Sequence, residues 1–63
     1  MNQYRFEGAV KIFDKVVDHN WVAETMAVSS ARAKSNFTYR YKKQMGLEPQ
    51  SKLTLDGKIT KID

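Results

Sequence analysis

Residues 4–12 read Tyr-Arg-Phe-Glu-Gly-Ala-Val-Lys-Ile, and this stretch decides the fold. One parity carries the apolar side chains, which are Tyr4, Phe6, Val10 and Ile12. The other parity carries the charged side chains, which are Arg5, Glu7, Lys11 and Lys15. Alternation with a period of two is the pattern of a strand with one buried face. Because the run is long for a strand, we expect it at the centre of the sheet.

A turn and a second strand are predicted next along the chain. Residues 18–20, Asp-His-Asn, form a turn cluster, because Asp and Asn hydrogen-bond to their own backbone. Residues 21–28 are rich in Trp, Val and Thr, which favour a strand paired with the first as a hairpin. A helix that begins at Trp21 is the alternative, since Ala, Glu and Met favour helices. The inward face of this strand is ambiguous, and we favour the odd positions because they carry no charge.

Residues 30–45 are predicted to form a helix. Ser29 can cap its first turn by accepting a hydrogen bond from a free backbone N–H. Gly46 can end it, because glycine adopts a left-handed conformation at little cost. On a 3.6-residue period, one stripe of side chains should pack on the sheet. That stripe consists of Ala33, Phe37, Tyr41 and Met45.

Residues 52–62, Lys-Leu-Thr-Leu-Asp-Gly-Lys-Ile-Thr-Lys-Ile, form the last predicted element, which we interpret as a straight strand. A two-residue hairpin at the Asp-Gly pair would put Leu53 and Leu55 on the opposite face from Ile59, whereas a straight strand keeps all three together. A three-residue loop would also keep the faces in phase.

The last strand is predicted to pair antiparallel with the first. With Gly57 opposite Gly8, every apolar pair closes on the same side of the sheet, and a slip of one residue would turn the whole set outward. The two glycines would leave a shallow place for the helix to approach. The prediction is therefore an α+β fold of order β-β-α-β. Its antiparallel three-stranded sheet has the order 2-1-3, with one helix packed on one face.

Length and composition bound the class of protein. Sixty-three residues predict one domain over residues 1–63, of marginal stability at this size. The absence of cysteine excludes disulfides and thiolate metal sites, so a homodimer is the remaining way to add stability. No apolar run approaches a membrane span of about 20 residues, and the first residues lack a secretory signal pattern. We expect a cytoplasmic protein that does not interact with membranes.

Catalytic residues, cofactors and metal ligands are not predicted. His19 could act as a general base, but a solvated turn residue explains it better. A nucleophile needs a base within hydrogen-bond reach, and Ser29 is already explained as a helix cap. The chain has no glycine-rich phosphate loop and no metal-ligand spacing. We therefore expect a protein that is not an enzyme and takes no cofactor.

The predicted helix is strongly basic. Between Ser29 and Met45 the chain has five cations and no acid, against a net charge of +4 for the whole sequence. Cations near the first turn oppose the helix dipole, which suggests a role beyond stability. An aromatic residue among cations suits base stacking. The predicted contacts to nucleic acid are Arg32, Lys34, Tyr39, Arg40 and Lys43; an ordinary solvated face is the alternative.

The open face of the sheet is the second candidate surface. It would act as a protein-interaction module, in a homodimer or as an accessory subunit, and a platform for RNA is a further reading. In the predicted register Glu7 lies opposite Lys58, as a cross-strand pair. The predicted interaction face consists of Lys11, Phe13, Lys15 and Met26.

Two resemblances add to this reading. One covers nearly the whole chain, through Tyr4-Arg5-Phe6-Glu7-Gly8, Trp21, Ala27-Val28-Ser29, Ala33-Lys34-Ser35-Asn36, Tyr39-Arg40-Tyr41-Lys42 and Leu53-Thr54-Leu55-Asp56-Gly57-Lys58-Ile59. With these segments the chain resembles short uncharacterised proteins of phages and prophages of Gram-positive bacteria, which implies no particular activity. The order of its elements is similar to the archaeal ribosomal protein LX family, which would imply contact with RNA. We expect a non-enzymatic binding protein of the phage or prophage type.

Overall fold

The structure is a computed structural model that describes residues 1–62. Its elements are β1 (Asn2–Ile12), β2 (Lys15–Ala27), α1 (Ser30–Met45) and β3 (Leu53–Lys61). The strands form one antiparallel sheet in the order β2-β1-β3, and α1 packs on one face of it. The predicted fold class, element order and strand order are confirmed.

The pairing of β1 with β3 has the predicted register. Gly8 lies opposite Gly57, Phe6 opposite Ile59, and the remaining apolar pairs follow in step. A Cβ atom built on Gly57 would lie 2.6 Å from the Glu7 carbonyl oxygen and 2.8 Å from the Phe6 ring. Only glycine therefore fits at this crossing, and the Phe6 ring covers the space where a side chain would stand.

The hairpin between β1 and β2 turns at Phe13 and Asp14, so the predicted turn at residues 18–20 is wrong. Phe13 and Asp14 have φ angles of 50° and 67°. A two-residue type I′ turn requires two positive φ angles, and its twist matches that of the paired strands. Residues 18–20 lie within β2 instead, with His19 exposed on the strand.

Two irregularities in β2 replace the predicted turn. The register with β1 shifts between Gly8 and Val10 and again between Val10 and Lys11. Asp18 Oδ1 accepts a hydrogen bond of 3.2 Å from the Asn20 backbone N–H. The local hydrogen bonding that suggested a turn thus stabilises a bulged strand. Each register shift adds one residue to β2 and moves the following side chains to the opposite face. The second shift therefore restores the original alternation.

Beyond these bulges the odd positions of β2 face the helix, as predicted. Trp21 lies opposite Gly8 and Ala23 lies opposite Phe6, while Ala27 is buried. The Trp21 ring packs edge-on against Tyr41, with ring centroids 4.9 Å apart. Burial raises the pKa of the Tyr41 hydroxyl above its ordinary value, and the charge of Asp18 adds to this shift.

Helix α1 begins and ends at the predicted residues. The Ser29 hydroxyl accepts a hydrogen bond of 3.3 Å from the Arg32 backbone N–H. Gly46 has a φ of 68°, and the Leu47 backbone N–H donates to the Lys42 carbonyl at 2.8 Å. These contacts satisfy backbone groups that the helix ends would leave free.

The core lies between α1 and the sheet. Its buried members are Tyr4, Phe6, Val10, Ala27, Ala33, Phe37 and Tyr41. The assignment of Met45 to the buried stripe is wrong, because its side chain is 56% exposed. The chain reverses at Gly46, and Leu47 packs against the core after this turn.

Candidate nucleic-acid interface

Three of the predicted contact residues share one exposed face of α1. Arg32, Tyr39 and Lys43 are spaced seven and four residues apart, which places them on one side of a helix. All three side chains are exposed, and Tyr39 is 68% exposed. From Arg32 to Lys43 the helix rises about 16 Å. We call these three residues the outer stripe.

A groove of about 340 Å³ adjoins the outer stripe at Tyr39. It runs between the end of α1 and the following loop, and its lining is Thr38, Tyr39, Lys42, Lys43, Leu47 and Pro49. The Lys42 ammonium donates a hydrogen bond of 2.7 Å to the Pro49 carbonyl, which ties the loop to the helix. The groove thus combines an aromatic ring, an apolar floor and the cation of Lys43. Leu47 and Pro49 were missing from the predicted site, because loop residues have no periodicity that would reveal a common surface.

Arg40 points to a different part of the molecule. Its guanidinium donates a hydrogen bond to the Glu24 carbonyl on the outer edge of β2. Asn36, one turn earlier, donates to the Met26 carbonyl at 3.3 Å. These two side chains satisfy edge carbonyls of β2, so Arg40 attaches the helix to the sheet and does not belong to the outer stripe.

Lys34 lies on the flank of α1 that faces β3. It lines a second groove of about 340 Å³, together with Phe6, Ser30, Ala31, Leu55, Gly57 and Ile59. This groove is the shallow place that was predicted beside the two glycines, and the helix does not fill it. Lys34 is therefore separated from the outer stripe by roughly half a helical turn.

The charge of the molecule is concentrated on α1. The helix carries five of the eleven cations and no acid, and its first turn contains no acidic residue. Outside the helix lie six cations and seven acids, which leave the rest of the chain close to neutral. An anionic partner is therefore attracted to the helix side of the molecule.

The open face of the sheet does not gather the predicted interaction residues into one patch. Phe13 lies in the β1–β2 turn, and Lys15 lies opposite the half-buried Ile12, on the helix side of the sheet. Placing Lys15 on the open face was therefore wrong, because the turn comes earlier than predicted, and Phe13 belongs to the turn and not to a strand. Lys11 and Met26 do lie on the open face, where Lys11 pairs with Asp56 at 3.3 Å.

The charged side chains of the open face balance one another. Glu7 lies opposite Lys58, as the predicted register requires. Its ion pair, however, is with Arg5 on the same strand, at 3.9 Å. Apolar side chains remain exposed along β2, at Val22 and Met26.

Among residues 1–62, no group of three or more His, Cys, Asp or Glu residues could hold a metal ion. No helix in the same part of the chain is long and apolar enough to cross a membrane. The outer stripe and the groove at Tyr39 remain the surface with the most specific chemistry. Comparisons with known proteins add no candidate, since no family model, curated protein or solved structure matches the chain.

Proposed function

We propose that this chain is a non-enzymatic, cytoplasmic protein of the phage or prophage type that binds single-stranded nucleic acid through the outer stripe of α1. The observation that carries the proposal is the exposed Tyr39 ring, which lines a largely apolar groove together with the cation of Lys43. Every base has an aromatic face, so a ring in this setting accepts stacked bases of any sequence.

The cations of the outer stripe suit the phosphate backbone that would accompany a stacked base. The stripe extends about 16 Å along the helix, which is long enough to follow several nucleotides of one strand. Arg32 and Lys43 lie at its two ends, with Tyr39 between them. Two phosphates of one strand can therefore contact the cations while an intervening base stacks on the ring.

Fluorescence anisotropy with a labelled oligothymidine and oligouridine would test the proposal. Tyr39→Ala should weaken binding about 5- to 150-fold, because stacking contributes about 1–3 kcal/mol per base. Tyr39→Phe retains the ring and should bind like the original protein. Equal losses in both variants, or no binding at low salt, would sink the proposal.

The cations have their own matched control. Arg32→Ala and Lys43→Ala should each flatten the dependence of log K on log salt by about 0.7, since each contact to a single strand releases that share of a counterion. Lys52→Ala removes the same charge from an exposed residue outside α1. If it flattened the slope equally, the effect would be one of net charge and not of the outer stripe.

A second candidate function is a protein-interaction module that uses the open face of the sheet. The observation in its favour is the exposure of Val22 and Met26, which lie on the same face of β2 on either side of Glu24. Met26→Lys would introduce a charge there and should abolish an interaction through this face. A partner that still bound this variant would exclude the open face as its docking surface.

A further inference from the structure

The two edges of the sheet are treated differently. At β2, Asn36 and Arg40 donate hydrogen bonds to outward-facing carbonyls, and the strand is bulged. Both devices protect an edge against pairing with another strand. β3 is the other edge strand, and its nine residues form a regular ladder with β1.

The backbone groups that β3 presents outward can be identified. The Phe13 N–H donates to the Lys52 carbonyl, and the Ile62 N–H donates to the Gln3 carbonyl. Even-numbered residues at this strand's two ends therefore face β1. Because the direction alternates along a strand, the odd-numbered N–H and C=O groups, at Leu55, Gly57 and Ile59, point out of the sheet.

We propose that β3 is the homodimer interface and pairs antiparallel with β3 of a second copy, centred on Gly57. The outward residues lie symmetrically about Gly57, as a two-fold axis requires. In this register Leu55 lies opposite Ile59 of the second copy, and the pair occurs twice. Both side chains are half-buried on the helix side, where they line the groove beside α1. Pairing would join the apolar floors of this groove in the two copies.

The open face supplies the charge complementarity for the same register. Asp56 lies opposite Lys58 of the second copy, again twice, in the pair geometry that brings side chains closest. Thr54 lies opposite Thr60, which is also a favourable pair. Lysines on an edge strand usually discourage pairing. Here Lys58 is given an acidic partner, so it selects a register instead.

Neighbouring registers are excluded by the same two residues. The smallest slip that keeps the two faces in phase is two residues, which puts Lys58 opposite Lys58 in one direction and Asp56 opposite Asp56 in the other. Like charges directly opposite each other destabilise a sheet. A second copy in the Gly57-centred register is therefore a better occupant of this edge than an arbitrary extended peptide.

Hydrogen exchange measured by NMR on the unmodified protein tests the interface directly. At high protein concentration the amides of Leu55, Gly57 and Ile59 should become protected, and dilution should release them. The amide of Val22, which points out of the other edge, should exchange rapidly throughout. Sedimentation over the same range should show a dimer. A monomer at the highest soluble concentration, or rapid exchange at these three β3 amides, would overturn the proposal.

Charge reversal tests the register. Asp56→Lys and Lys58→Glu should each weaken dimerisation roughly tenfold or more, because two attractive pairs become repulsive. The double variant D56K/K58E restores opposite charges across the two-fold axis and should dimerise like the original protein. Within one chain the same double change places a lysine near Lys11 and a glutamate opposite Glu7, so intrachain effects predict the reverse result. Circular dichroism would confirm that each variant is folded.

Met26→Lys provides the control for a different interface. Met26 lies on β2, at the far side of the sheet from β3. The variant should dimerise normally. If it were monomeric while the β3 charge variants remained dimers, the copies would associate through the open face and the β3 interface would be refuted.

Discussion

Replacement of Gly8 by alanine is the sharpest test of the sheet described above. Gly8 has a φ of 153°, and a Cβ atom there would lie 2.3 Å from the Gly57 Cα and 2.9 Å from the Asp56 carbonyl oxygen. Carbon atoms in contact ordinarily stay about 3.5–4.0 Å apart. β1 and β3 would therefore have to separate by more than an ångström at the centre of the sheet.

The expected loss of stability in Gly8→Ala has two parts. A side chain at positive φ costs about 1–2 kcal/mol, and overpacking against backbone adds about 1–3 kcal/mol. The expected loss is about 2–5 kcal/mol. Domains of this length have unfolding free energies of about 3–9 kcal/mol, so Gly8→Ala should lose a large part of its stability.

Gly46→Ala is the matched control, because it has only the first part of this cost. Gly46 also has a positive φ, of 68°, but no atom lies within 4 Å of its added Cβ. We expect Gly46→Ala to lose about 1–2 kcal/mol. Urea unfolding followed by circular dichroism measures both variants. If Gly8→Ala lost no more stability than Gly46→Ala, the close contact of the two glycine backbones would be wrong.

Three further outcomes follow from the described contacts. Arg40→Ala should cost about 1 kcal/mol of stability in urea unfolding, through the lost hydrogen bond to β2, while binding of nucleic acid changes less than in Arg32→Ala. Ser29→Ala should cost about 0.5–2 kcal/mol in the same assay, because the first turn of α1 loses its cap. The folded state raises the pKa of Tyr41, so its contribution to stability is complete below pH 10 and is lost as the pH rises through the folded pKa. Stability curves of Tyr41→Phe should therefore fall less steeply above pH 10 than those of the original protein, and parallel curves would contradict this assignment.

The β1–β3 register could be predicted from the sequence because several constraints agree on it. The alternation of apolar residues on both strands determines which faces match. The glycine pair then determines which residues lie opposite each other. The two strands approach so closely at this crossing that both facing residues must be glycine, since a side chain at either position would strike the facing backbone. A constraint of this kind acts between distant residues, yet it is visible in one sequence.

The β1–β2 turn could not be predicted, because local preference and strand pairing disagree there. The residue types at Asp18 and Asn20 favour turns, whereas phenylalanine, the residue at position 13, rarely adopts a positive φ in proteins. The structure satisfies the long-range pairing and uses the Asp18 hydrogen bond to Asn20 in a bulge. Misplacing this turn is also what put Lys15 on the wrong face and Phe13 within a strand.

The candidate site was predicted in part for a similar reason. Helical periodicity correctly joins Arg32, Tyr39 and Lys43, since they share a face whatever the helix contacts. It cannot show that Arg40 reaches β2, because that depends on where the helix crosses the sheet. Nor can it show the groove at Tyr39, which requires the loop after Gly46 to fold back.

The two proposals together predict how salt should act on binding. A two-fold axis perpendicular to the joined sheet puts both α1 helices on the same face, so a dimer would present two outer stripes to one strand. Above the dimerisation constant, the slope of log K against log salt should be about twice that of the monomeric D56K and K58E variants. These two variants change the net charge in opposite directions, so a lower slope in both cannot reflect net charge alone. D56K/K58E, which keeps the original net charge, should recover the steeper slope. Monomeric variants that kept the original slope would show that each chain binds independently, which would leave the outer stripe intact as a site and remove the dimer from its function.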